Sequence, residues 1–445
     1  MIYFQKLKKI CVYGDKMLFF ETNRSNCPDL ADDQAICACY YDYASLNLVS
    51  FCLRKIKFWN LLTGKIRLIY DDPMGGDITA LAVDEACKRA YLGDNTGIIK
   101  NLNLRNGLLL KNLESHSTEI KFLLHSQEMN LVASCSVDNV IKIHNNRELL
   151  ETEVIKEIRI NDNVTSLCFV DKYKRLSIGL SNGILKFYDI EHFHYDSDLD
   201  VDSSSIKGEI TVIHQIKDLE LVICCYSNGS VKFVVSPPSN AKYKIIYGFD
   251  NYTEDNPISI SCLEFDNIRH HIFLGDILGT INCFDISKIY EIVKEIAKNN
   301  NKDISSNEPI IMKENIYYFK NYNIINLWKI DAHNESIRHI HYIDIDPRII
   351  VTTSYDLKIK IFNADNGKYK DEFKQIANRL KPVPTGIKYY LLDPFGEKDN
   401  TLEAQYIYRK DIKNFNPSQI NETNRQQIKE VAKKITEYNA KEKYG

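Results

Sequence analysis

The stretch Leu92-Gly93-Asp94-Asn95-Thr96-Gly97-Ile98-Ile99 recurs later in the chain as Leu274-Gly275-Asp276-Ile277-Leu278-Gly279-Thr280-Ile281. The two copies share Leu, Gly, Asp, Gly and Ile at matching places, and looser copies surround Gly183 and Gly229. Each copy is a run of strand residues, a glycine turn and a second run of strand residues. This pattern predicts a β-hairpin whose turn needs a positive φ. An internal repeat of this kind decides the fold before any local signal does.

Landmarks placed at the hairpin turns give the repeat a countable period. Not every turn keeps the glycine, and the landmarks in chain order are Arg54, Gly97, Asp138, Gly183, Gly229, Gly279 and Asp356. The gaps between them are 43, 41, 45, 46, 50 and 77 residues. A period of about 40–45 residues with several short strands per unit is typical of a propeller blade. Seven landmarks therefore predict an all-β, seven-bladed propeller with four strands in each blade.

Two places depart from the regular repeat. In the longest gap, apolar residues at 289, 292, 293 and 296 have helical spacing, which predicts a helical insertion in blade six before its outer strand. In blade four, the chain after Ile190 is acidic, so we expect a loop and a weak or missing outer strand. The predicted boundaries are 1–30 for N-terminal strands, 31–376 for the propeller with insertion 287–323, and 377–445 for a C-terminal tail.

Composition excludes several classes of protein. Hydrophobic residues make up 44% of the 445 residues, enough for a large core, and the net charge of −3 provides no basic field for nucleic acid. No apolar run reaches the ~18–20 residues that a bilayer crossing needs, and the N-terminus lacks a signal-peptide pattern. The 12 cysteines include no Cys-x-x-Cys pair, so we expect reduced, packed thiols in a reducing compartment.

The hairpins, their period and their number resemble the WD-repeat (WD40) family of β-propellers over about residues 36–374. A blade of that family usually carries a His before its inner strand, a Ser or Thr in the second strand, an Asp in the hairpin turn and a Trp in the third strand. Blades three and seven match at His116, Ser134 and Asp138, and at His333, Thr352 and Asp356. The Trp place holds His144 in blade three and Phe362 in blade seven. The resemblance implies that these are structural hydrogen-bond sets.

A narrower likeness concerns residues 7–21 and the Gly-Asp-x-x-x-Gly blades. They look like the second, C-terminal propeller of ciliary, axonemal proteins that combine WD repeats with EF-hands. This resemblance implies residence in the axoneme, although the first propeller and the calcium-binding hands are not complete in this chain. Residues 9–13 and 16–21 are two strand-like runs. They either close the ring between blades one and seven or begin an extra blade.

The residues that could carry chemistry have simpler explanations. His116, Ser134 and Asp138 are the residue types of a nucleophile–base–orienter set, but in a blade such residues more often stiffen the hairpin. His192 and His194 share one face of a strand, yet no third ligand is evident in the sequence. No nucleophile elbow or phosphate-binding loop occurs. We therefore predict no catalytic residue, no metal site and no cofactor.

The tail is the segment that we expect to reach a partner. Residues 417–442 are predicted to form a helix that begins with Asn416 as its N-cap. Its apolar stripe consists of Ile428, Val431, Ile435 and Tyr438. Such a helix is marginal alone in water, so the stripe lies either on its own propeller or on a neighbouring chain.

These observations predict a non-catalytic scaffold protein. By resemblance we place it in the cytoplasm, on the cytoskeleton of the ciliary axoneme, binding tubulin or microtubule-associated proteins through propeller loops and the tail. One alternative is a soluble WD-repeat adaptor in ubiquitin ligation or trafficking. Another is an enzyme that uses the propeller channel, but inner strands such as 36–39 and 164–168 supply mostly apolar or small residues.

Overall fold

The computed structural model describes residues 31–32, 34–61, 64–146, 154–171, 174–200, 208–217, 221–235, 244–250, 258–298, 310–313, 316–319, 324–374 and 383–384. The N-terminal strands predicted in residues 1–30 lie outside this set. So does the helix predicted over residues 417–442.

The described strands form seven sheets in chain order, each with four antiparallel strands, and the first sheet gains a fifth, parallel strand from the tail; two further strands form a separate hairpin. Blades one and two contain β1 (Ile36–Asp42), β2 (Asn47–Cys52), β3 (Lys55–Asn60), β4 (Ile66–Asp71), β5 (Ile78–Val83), β6 (Arg89–Asp94), β7 (Ile99–Asn103) and β8 (Leu109–Leu113). Blades three and four contain β9 (Ile120–Ser126), β10 (Leu131–Ser136), β11 (Val140–Asn145), β12 (Val154–Arg159), β13 (Val164–Val170), β14 (Arg175–Leu180), β15 (Ile184–Asp189) and β16 (His194–Asp200).

The remaining three blades include the insertion. Blade five contains β17 (Ile210–Ile216), β18 (Leu221–Tyr226), β19 (Ser230–Val235) and β20 (Lys244–Asp250). Blade six contains β21 (Ile260–Asp266), β22 (His271–Asp276), β23 (Thr280–Asp285) and the outer strand β26 (Ile325–Asp331). The insertion between β23 and β26 consists of helix α1 (Ser287–Lys298) and a hairpin of β24 (Ile310–Lys313) and β25 (Ile316–Phe319). Blade seven contains β27 (Ile337–Ile343), β28 (Ile349–Ser354), β29 (Ile359–Asn363) and β30 (Tyr369–Phe373). A two-residue strand, β31 (Val383–Pro384), follows in the tail.

The sheets close into a ring. The inner strand, meaning the first strand of each blade, contacts the inner strand of the next blade, and β27 of blade seven contacts β1 of blade one. The fold is therefore the all-β, seven-bladed propeller that the repeat predicts. Within the described residues each blade uses four strands of its own, so the ring closes without exchange of strands between blades.

The first glycine of the repeated stretch is explained by the next blade. A Cβ on Gly93 would lie 2.7 Å from Cγ2 of Ile120, the first residue of the inner strand of blade three. A Cβ on Gly275 would lie 3.1 Å from Cγ2 of Ile337, the corresponding residue of blade seven. Both isoleucines are fully buried. The glycine thus lets a fully buried isoleucine of the neighbouring blade lie against the second strand.

A repeated side-chain hydrogen bond also joins the inner strands. In blades two, four and six, the hydroxyl of the second residue of the inner strand donates to the carbonyl oxygen of the first residue in the next inner strand. The distance from the hydroxyl oxygen to the carbonyl oxygen is 2.6 Å in all three pairs, which are Thr79 with Ile120, Thr165 with Ile210, and Ser261 with Ile337. These hydroxyls satisfy carbonyl groups at the centre of the ring, where an unpaired carbonyl would be costly.

The aspartate of the repeated stretch caps its hairpin turn. Asp276 Oδ1 accepts hydrogen bonds from the backbone N–H groups of Leu278 at 2.9 Å and Thr280 at 2.8 Å. Asp94 makes the same two bonds in blade two, to Thr96 and Ile98. A short carboxylate can satisfy the amide groups that a tight turn leaves unpaired.

The second glycine makes the turn and receives the following blade. Gly97 has φ of 89° and Gly279 has φ of 87°, a region that favours glycine. The carbonyl oxygens of these glycines accept hydrogen bonds, both 2.9 Å long, from the backbone N–H groups of His116 and His333. A Cβ on either glycine would collide with the carbonyl oxygen of that same histidine. The turn geometry of one blade therefore positions the histidine of the next.

Blade four corrects one prediction. We expected its outer strand to be weak or missing, but β16 pairs with β15 from Asp189↔His194 to Ile184↔Asp200. Aspartates are uncommon in central strands, which is why the sequence favoured a loop. In the ring β16 is an outermost strand, where charged residues are tolerated and also discourage pairing with other chains.

The insertion in blade six lies against its own blade and blade five. Ile289 and Val293 of α1 are buried in a cluster with side chains of both blades. Both residues belong to the apolar pattern that predicted the helix. The Tyr290 ring stacks on His270, with 3.7 Å between ring centroids. The hairpin of β24 and β25 contacts β20, the outer strand of blade five. The insertion is thus accommodated at the rim, and the four-stranded sheet of blade six is complete.

The junction of blades one and seven is closed by buried side chains. Ile36 and Trp59 of blade one share a cluster with Val351 and Phe373 of blade seven. Just before β1, a buried ion pair joins Asp32 Oδ2 to Lys57 Nζ at 2.5 Å, with side chains only 1% and 3% exposed. Breaking such a pair on one side leaves a buried charge, which is strongly unfavourable. The tail adds β31 in parallel to β4 of blade one.

Ten cysteines lie in the described part of the chain, and all are free thiols that are buried or partly buried. Burial raises the pKa of Cys135 and that of Cys262 to about 12, so these thiols stay protonated at neutral pH. Among the described helices, none combines the length and the apolar character needed to span a bilayer.

Candidate functional site

In blade three a serine hydroxyl lies between two histidines. Ser134 Oγ is 2.7 Å from His116 Nε2 and 2.8 Å from His144 Nε2. In blade one, Trp59 Nε1 donates to Ser50 Oγ at 2.8 Å from the equivalent place. His144 therefore fills the role of the indole, donating from Nε2 to Ser134, whose own hydroxyl then donates to His116. The Nδ1 of His144 then carries no proton, which agrees with the lack of a hydrogen-bond partner for this buried atom among the described residues.

The third residue predicted for blade three takes part in a different contact. Asp138 accepts hydrogen bonds from the Ser136 hydroxyl, from Ser117 Oγ at 3.2 Å and from the Val140 N–H at 3.3 Å. It is exposed at the hairpin turn and caps the turn instead of bonding to His116. The structure thus brings His116 and Ser134 together and leaves Asp138 outside their hydrogen-bond chain.

Blade seven joins all three of its predicted residues. His333 Nε2 is 2.8 Å from Thr352 Oγ1, and His333 Nδ1 is 2.8 Å from Asp356 Oδ2. The imidazole therefore donates from Nδ1 to the carboxylate and accepts the threonine hydroxyl at Nε2. Thr352 and the His333 side chain have no exposed surface, and the Asp356 side chain is 8% exposed. The set is a continuous, buried hydrogen-bond chain across the blade.

Burial keeps the histidines of both sets neutral. Burial, reinforced by the Lys142 ammonium, lowers the pKa of His116 to about 4. Burial, reinforced by His116 and lysines, lowers the pKa of His144 to about 3. In blade seven burial also lowers the pKa of His333, although Asp356 opposes it. Burial alone would raise the pKa of Asp356, but the hydrogen bonds that it accepts from His333 and from the backbone N–H groups of Lys358 and Asn334 outweigh burial and lower it.

Neither set offers a nucleophile to solvent. Ser134 and Thr352 are both 0% exposed, and their hydroxyls are engaged by neighbouring imidazoles. A substrate could reach these oxygens only if the blade opened. The arrangement instead satisfies buried polar groups, which rigidifies each hairpin against the loop that precedes it.

The inner strands contribute a polar cluster that the sequence analysis did not find. Glu264 of β21 lies 3.6 Å from Nδ1 of His341 in β27, and the two side chains are 22% and 18% exposed. The ring of Tyr40 in β1 lies 5.0 Å from that of His339 and 5.6 Å from that of His341, measured between centroids. The inner strands of blades six and seven thus carry an acid and histidines beside the apolar and small residues that the sequence analysis noted.

The cluster is electrostatically coupled. Burial would raise the pKa of Glu264, but the hydrogen bond and charge of His341, with smaller effects of His214 and His339, leave it lowered. Burial lowers the pKa of His339 to about 4 against the opposing effect of Glu264. Nδ1 of His339 and Nε2 of His341 lack hydrogen-bond partners among the described residues. Both nitrogens are buried.

Apolar side chains are also exposed on one face of the ring. The turns between the second and third strands of blades two, three, six and seven carry, in order, Ile98, Val137, Ile277, Leu278 and Tyr355, which are between 41% and 60% exposed. Equivalent turns of a propeller lie on the same side of the disc, and we call this side the turn face. Exposed apolar groups that cluster on one surface are characteristic of a protein-binding site.

The strongest part of the turn face spans blades six and seven. The Gly279 turn lies against the backbone of His333 and Glu335, and Ser354 Oγ donates to the Glu335 carbonyl at 2.9 Å. The two turns therefore contact the same loop, which brings Leu278 and Tyr355 to neighbouring positions. The Arg338 guanidinium lies 4.7 Å from the Tyr355 ring centroid. A leucine, a tyrosine and an arginine of this kind form a surface suited to binding another protein.

Comparisons with known proteins agree with this architecture. The family described as "WD domain, G-beta repeat" matches residues 107–145, which include most of blade three. The propeller domain of Myceliophteria thermophila Cps50 (Swd1) superposes with a TM-score of 0.54 at 10% identity, over 76% of this chain and 98% of that domain. At that identity the similarity supports the fold alone. The chain is therefore a seven-bladed β-propeller that contains one segment similar to the WD repeat.

A curated relative is similar over most of the chain. Cilia- and flagella-associated protein 337 B of Tetrahymena thermophila is 27% identical over 445 residues, covering 87% of this chain and 34% of the relative. The chain thus spans about a third of the length of that relative.

The predicted partner-binding residues of the tail helix are Ile428, Val431, Ile435 and Tyr438. They lie outside the described residues. The sequence analysis did not find the polar cluster of the inner strands or the turn face, because both are built from residues far apart in the chain. Only the exposed Ile-Leu pair in the turn of blade six carried a local signal, since apolar residues are unusual at a hairpin tip.

Proposed function

We propose that the chain is a non-catalytic scaffold of the ciliary axoneme. In this proposal it binds tubulin or a microtubule-associated protein through the turn face and the C-terminal tail. The ciliary name of the Tetrahymena relative supports the location, since the alignment covers 87% of this chain. Between 425 and 443 the tail has six Lys or Arg against three Glu, which suits an acidic surface such as that of tubulin.

The observation that carries the proposal is the exposed apolar surface of blades six and seven. Leu278 is 60% exposed and Tyr355 is 49% exposed, although both stand on rigid turns fixed by backbone hydrogen bonds. Rigid turns lose little conformational entropy when a partner binds. Tyr and Arg are the residue types that most often dominate the binding energy of protein interfaces.

A pair of substitutions tests this surface. The full chain carrying Leu278→Asp and Tyr355→Asp is expected to leave the detergent-extracted axoneme, because each lost hot spot costs about 2 kcal/mol, roughly 30-fold in affinity. Ile268→Asp is the matched control. Ile268 is 58% exposed in the turn between β21 and β22, at the opposite side of the same blade. Equal loss in both variants, or retention of both, would contradict a role for the turn face.

Deletion of residues 411–445 tests the tail. We expect the truncated chain to show reduced retention in the extracted axoneme, and the turn-face substitutions to reduce it further. Unchanged localisation of the truncated chain would show that the tail is not an anchor. A full chain that is found only in the detergent-soluble pool would instead support the adaptor alternative.

One observation favours the channel-enzyme alternative, namely the acid and histidines at the ring centre. Glu264, His339 and His341 come from two inner strands, and two of their nitrogens lack partners in the described structure. Under the scaffold proposal, Glu264→Gln together with His341→Gln leaves axonemal retention unchanged. Turnover of a small molecule by the purified chain that this double variant abolishes would support the enzyme.

A further inference from the structure

The turn between β15 and β16 of blade four assembles three groups that the sequence did not bring together. His192 lies in the turn, and His194 begins β16. Asp189 ends β15 and pairs directly with His194 across the hairpin. The third ligand that seemed absent from the sequence is therefore supplied by the partner strand.

The turn holds the Asp189 carboxylate in a fixed orientation. Its Oδ1 accepts the backbone N–H groups of Glu191 at 2.7 Å and His192 at 3.0 Å. Its Oδ2 lies 2.9 Å from His192 Nδ1. One oxygen thus stabilises the turn, and the other faces the imidazole at the surface.

Phe193 directs the two histidines to one side. It has φ of 54°, which is unusual for a bulky residue, and its side chain packs against the apolar cluster of blades three and four. Because Phe193 turns toward the core, His192 and His194 both project away from it. Their ring centroids are 6.0 Å apart, and both residues are exposed.

We propose that Asp189, His192 and His194 form a binding site for a divalent transition-metal ion of the zinc class. The ligand atoms of the three groups lie within 4.8 Å of one another. Atoms that share a tetrahedral zinc ion at about 2.0–2.1 Å lie about 3.3 Å apart. The ligand atoms therefore lie within about 1.5 Å of the separation that a shared ion requires, and two of the three belong to exposed imidazoles.

The donor set selects the class of ion. Two imidazole nitrogens and one carboxylate oxygen suit zinc, copper or nickel, whereas calcium and magnesium require oxygen ligands. A site with three protein ligands leaves a coordination position for water or for a side chain of a bound protein. The site lies on the outermost strand of blade four, where a second protein could supply that ligand.

The test is a calorimetric titration of the full chain with Zn²⁺ at pH 7.5, with Co²⁺ absorption as a second readout. We expect one equivalent to bind. His192→Asn, His194→Asn and Asp189→Asn should each weaken binding at least about tenfold. The asparagine at 189 keeps an oxygen that can accept the turn N–H groups, and circular dichroism of every variant verifies the fold.

Glu191→Gln is the matched control. Glu191 is an exposed carboxylate in the same turn that pairs with Lys174 at 2.8 Å and is not part of the three-residue cluster. This variant should bind Zn²⁺ as the unmodified chain does. Absence of saturable binding, binding that survives both histidine substitutions, or an equal loss in Glu191→Gln would overturn the proposal.

Discussion

The junction of blades two and three and the junction of blades six and seven are built from the same parts but end in different networks. In each, a positive-φ glycine accepts the backbone N–H of a histidine in the next blade, Gly97 with His116 and Gly279 with His333. The His116 ring is hydrogen-bonded to a serine, which is hydrogen-bonded to a second histidine. His333 leads to a threonine and a carboxylate.

The difference separates what the backbone requires from what the side chains can vary. The glycine is required because a Cβ would collide with the carbonyl of the next blade, and that constraint is identical in both junctions. The imidazole nitrogens of the histidine need hydrogen-bond partners, but these partners can differ between blades. Blade seven satisfies the histidine with a charge, whereas blade three uses neutral groups throughout.

Breaking the shared part should have the largest effect. Gly97→Ala and Gly279→Ala are each expected to lower the free energy of unfolding by about 3 kcal/mol or more, because left-handed strain and a backbone collision add together. Urea denaturation followed by tryptophan fluorescence measures the change.

Gly75→Ala is the control for that pair. Gly75 also has a positive φ, 81°, but a Cβ there would meet nothing within 4 Å. Strain alone should cost about 1 kcal/mol at this position. Equal losses at all three glycines would show that the close approach between blades contributes nothing.

The aspartates of blades seven and three should differ in how much they contribute to the free energy of unfolding. Asp356→Ala should cost about 2–3 kcal/mol, because it leaves the buried Nδ1–H of His333 without an acceptor. Asp138→Ala should cost about 1 kcal/mol, since Asp138 caps an exposed turn. The difference in urea midpoints between the two variants is the measurement, and a larger loss for Asp138→Ala would refute the assignment of the two networks.

The pH dependence should distinguish the neutral network of blade three. The pKa values of His116, about 4, and His144, about 3, lie below the usual 6.5. Below about pH 6.5 the unfolded chain therefore binds protons that the folded chain does not. Each histidine contributes stability that is fully present above pH 6.5 and is lost, by roughly 1–3 kcal/mol, as pH falls toward 4.

His144→Phe introduces the residue type that blade seven has at this place. At pH 7.5 the variant should be about 1 kcal/mol less stable, because Ser134 loses a hydrogen bond. At pH 5 the deficit should shrink or reverse, since one titrating histidine is gone. Stability curves with a constant offset between pH 7.5 and pH 5 would argue against a neutral His144.

The sequence was sufficient for the fold because the repeat encodes the contacts between blades. Gly93 and Gly275 mark the buried isoleucines of the next blades, and Asp94 and Asp276 mark the capped turns. Each signal is local, and the seven hairpin turns that recur along the chain, with or without the glycine, predict a ring. The outer strand of blade four was missed because its pattern of alternating aspartates is compatible with an outermost strand only once the ring is known.

Sites were less predictable because they depend on which strands become neighbours. Glu264 and His341 occupy the same position in the inner strands of adjacent blades, 77 residues apart in the sequence. The bulge near the start of each inner strand also shifts the alternation of side chains, so periodicity alone does not identify this position. Asp189 was separated from His194 by a turn whose course only the structure supplies.

Because no blade borrows a strand from another within the described chain, mechanical tension would act unevenly on the propeller. Six junctions are spanned by the direct continuation of one blade into the next. At the seventh, a force that pulls blade one from blade seven is resisted by side-chain packing, by the hydrogen bond from the Ala31 N–H to the Leu357 carbonyl oxygen and by the short parallel strand Val383–Pro384. Tension across the ring would therefore load this junction most.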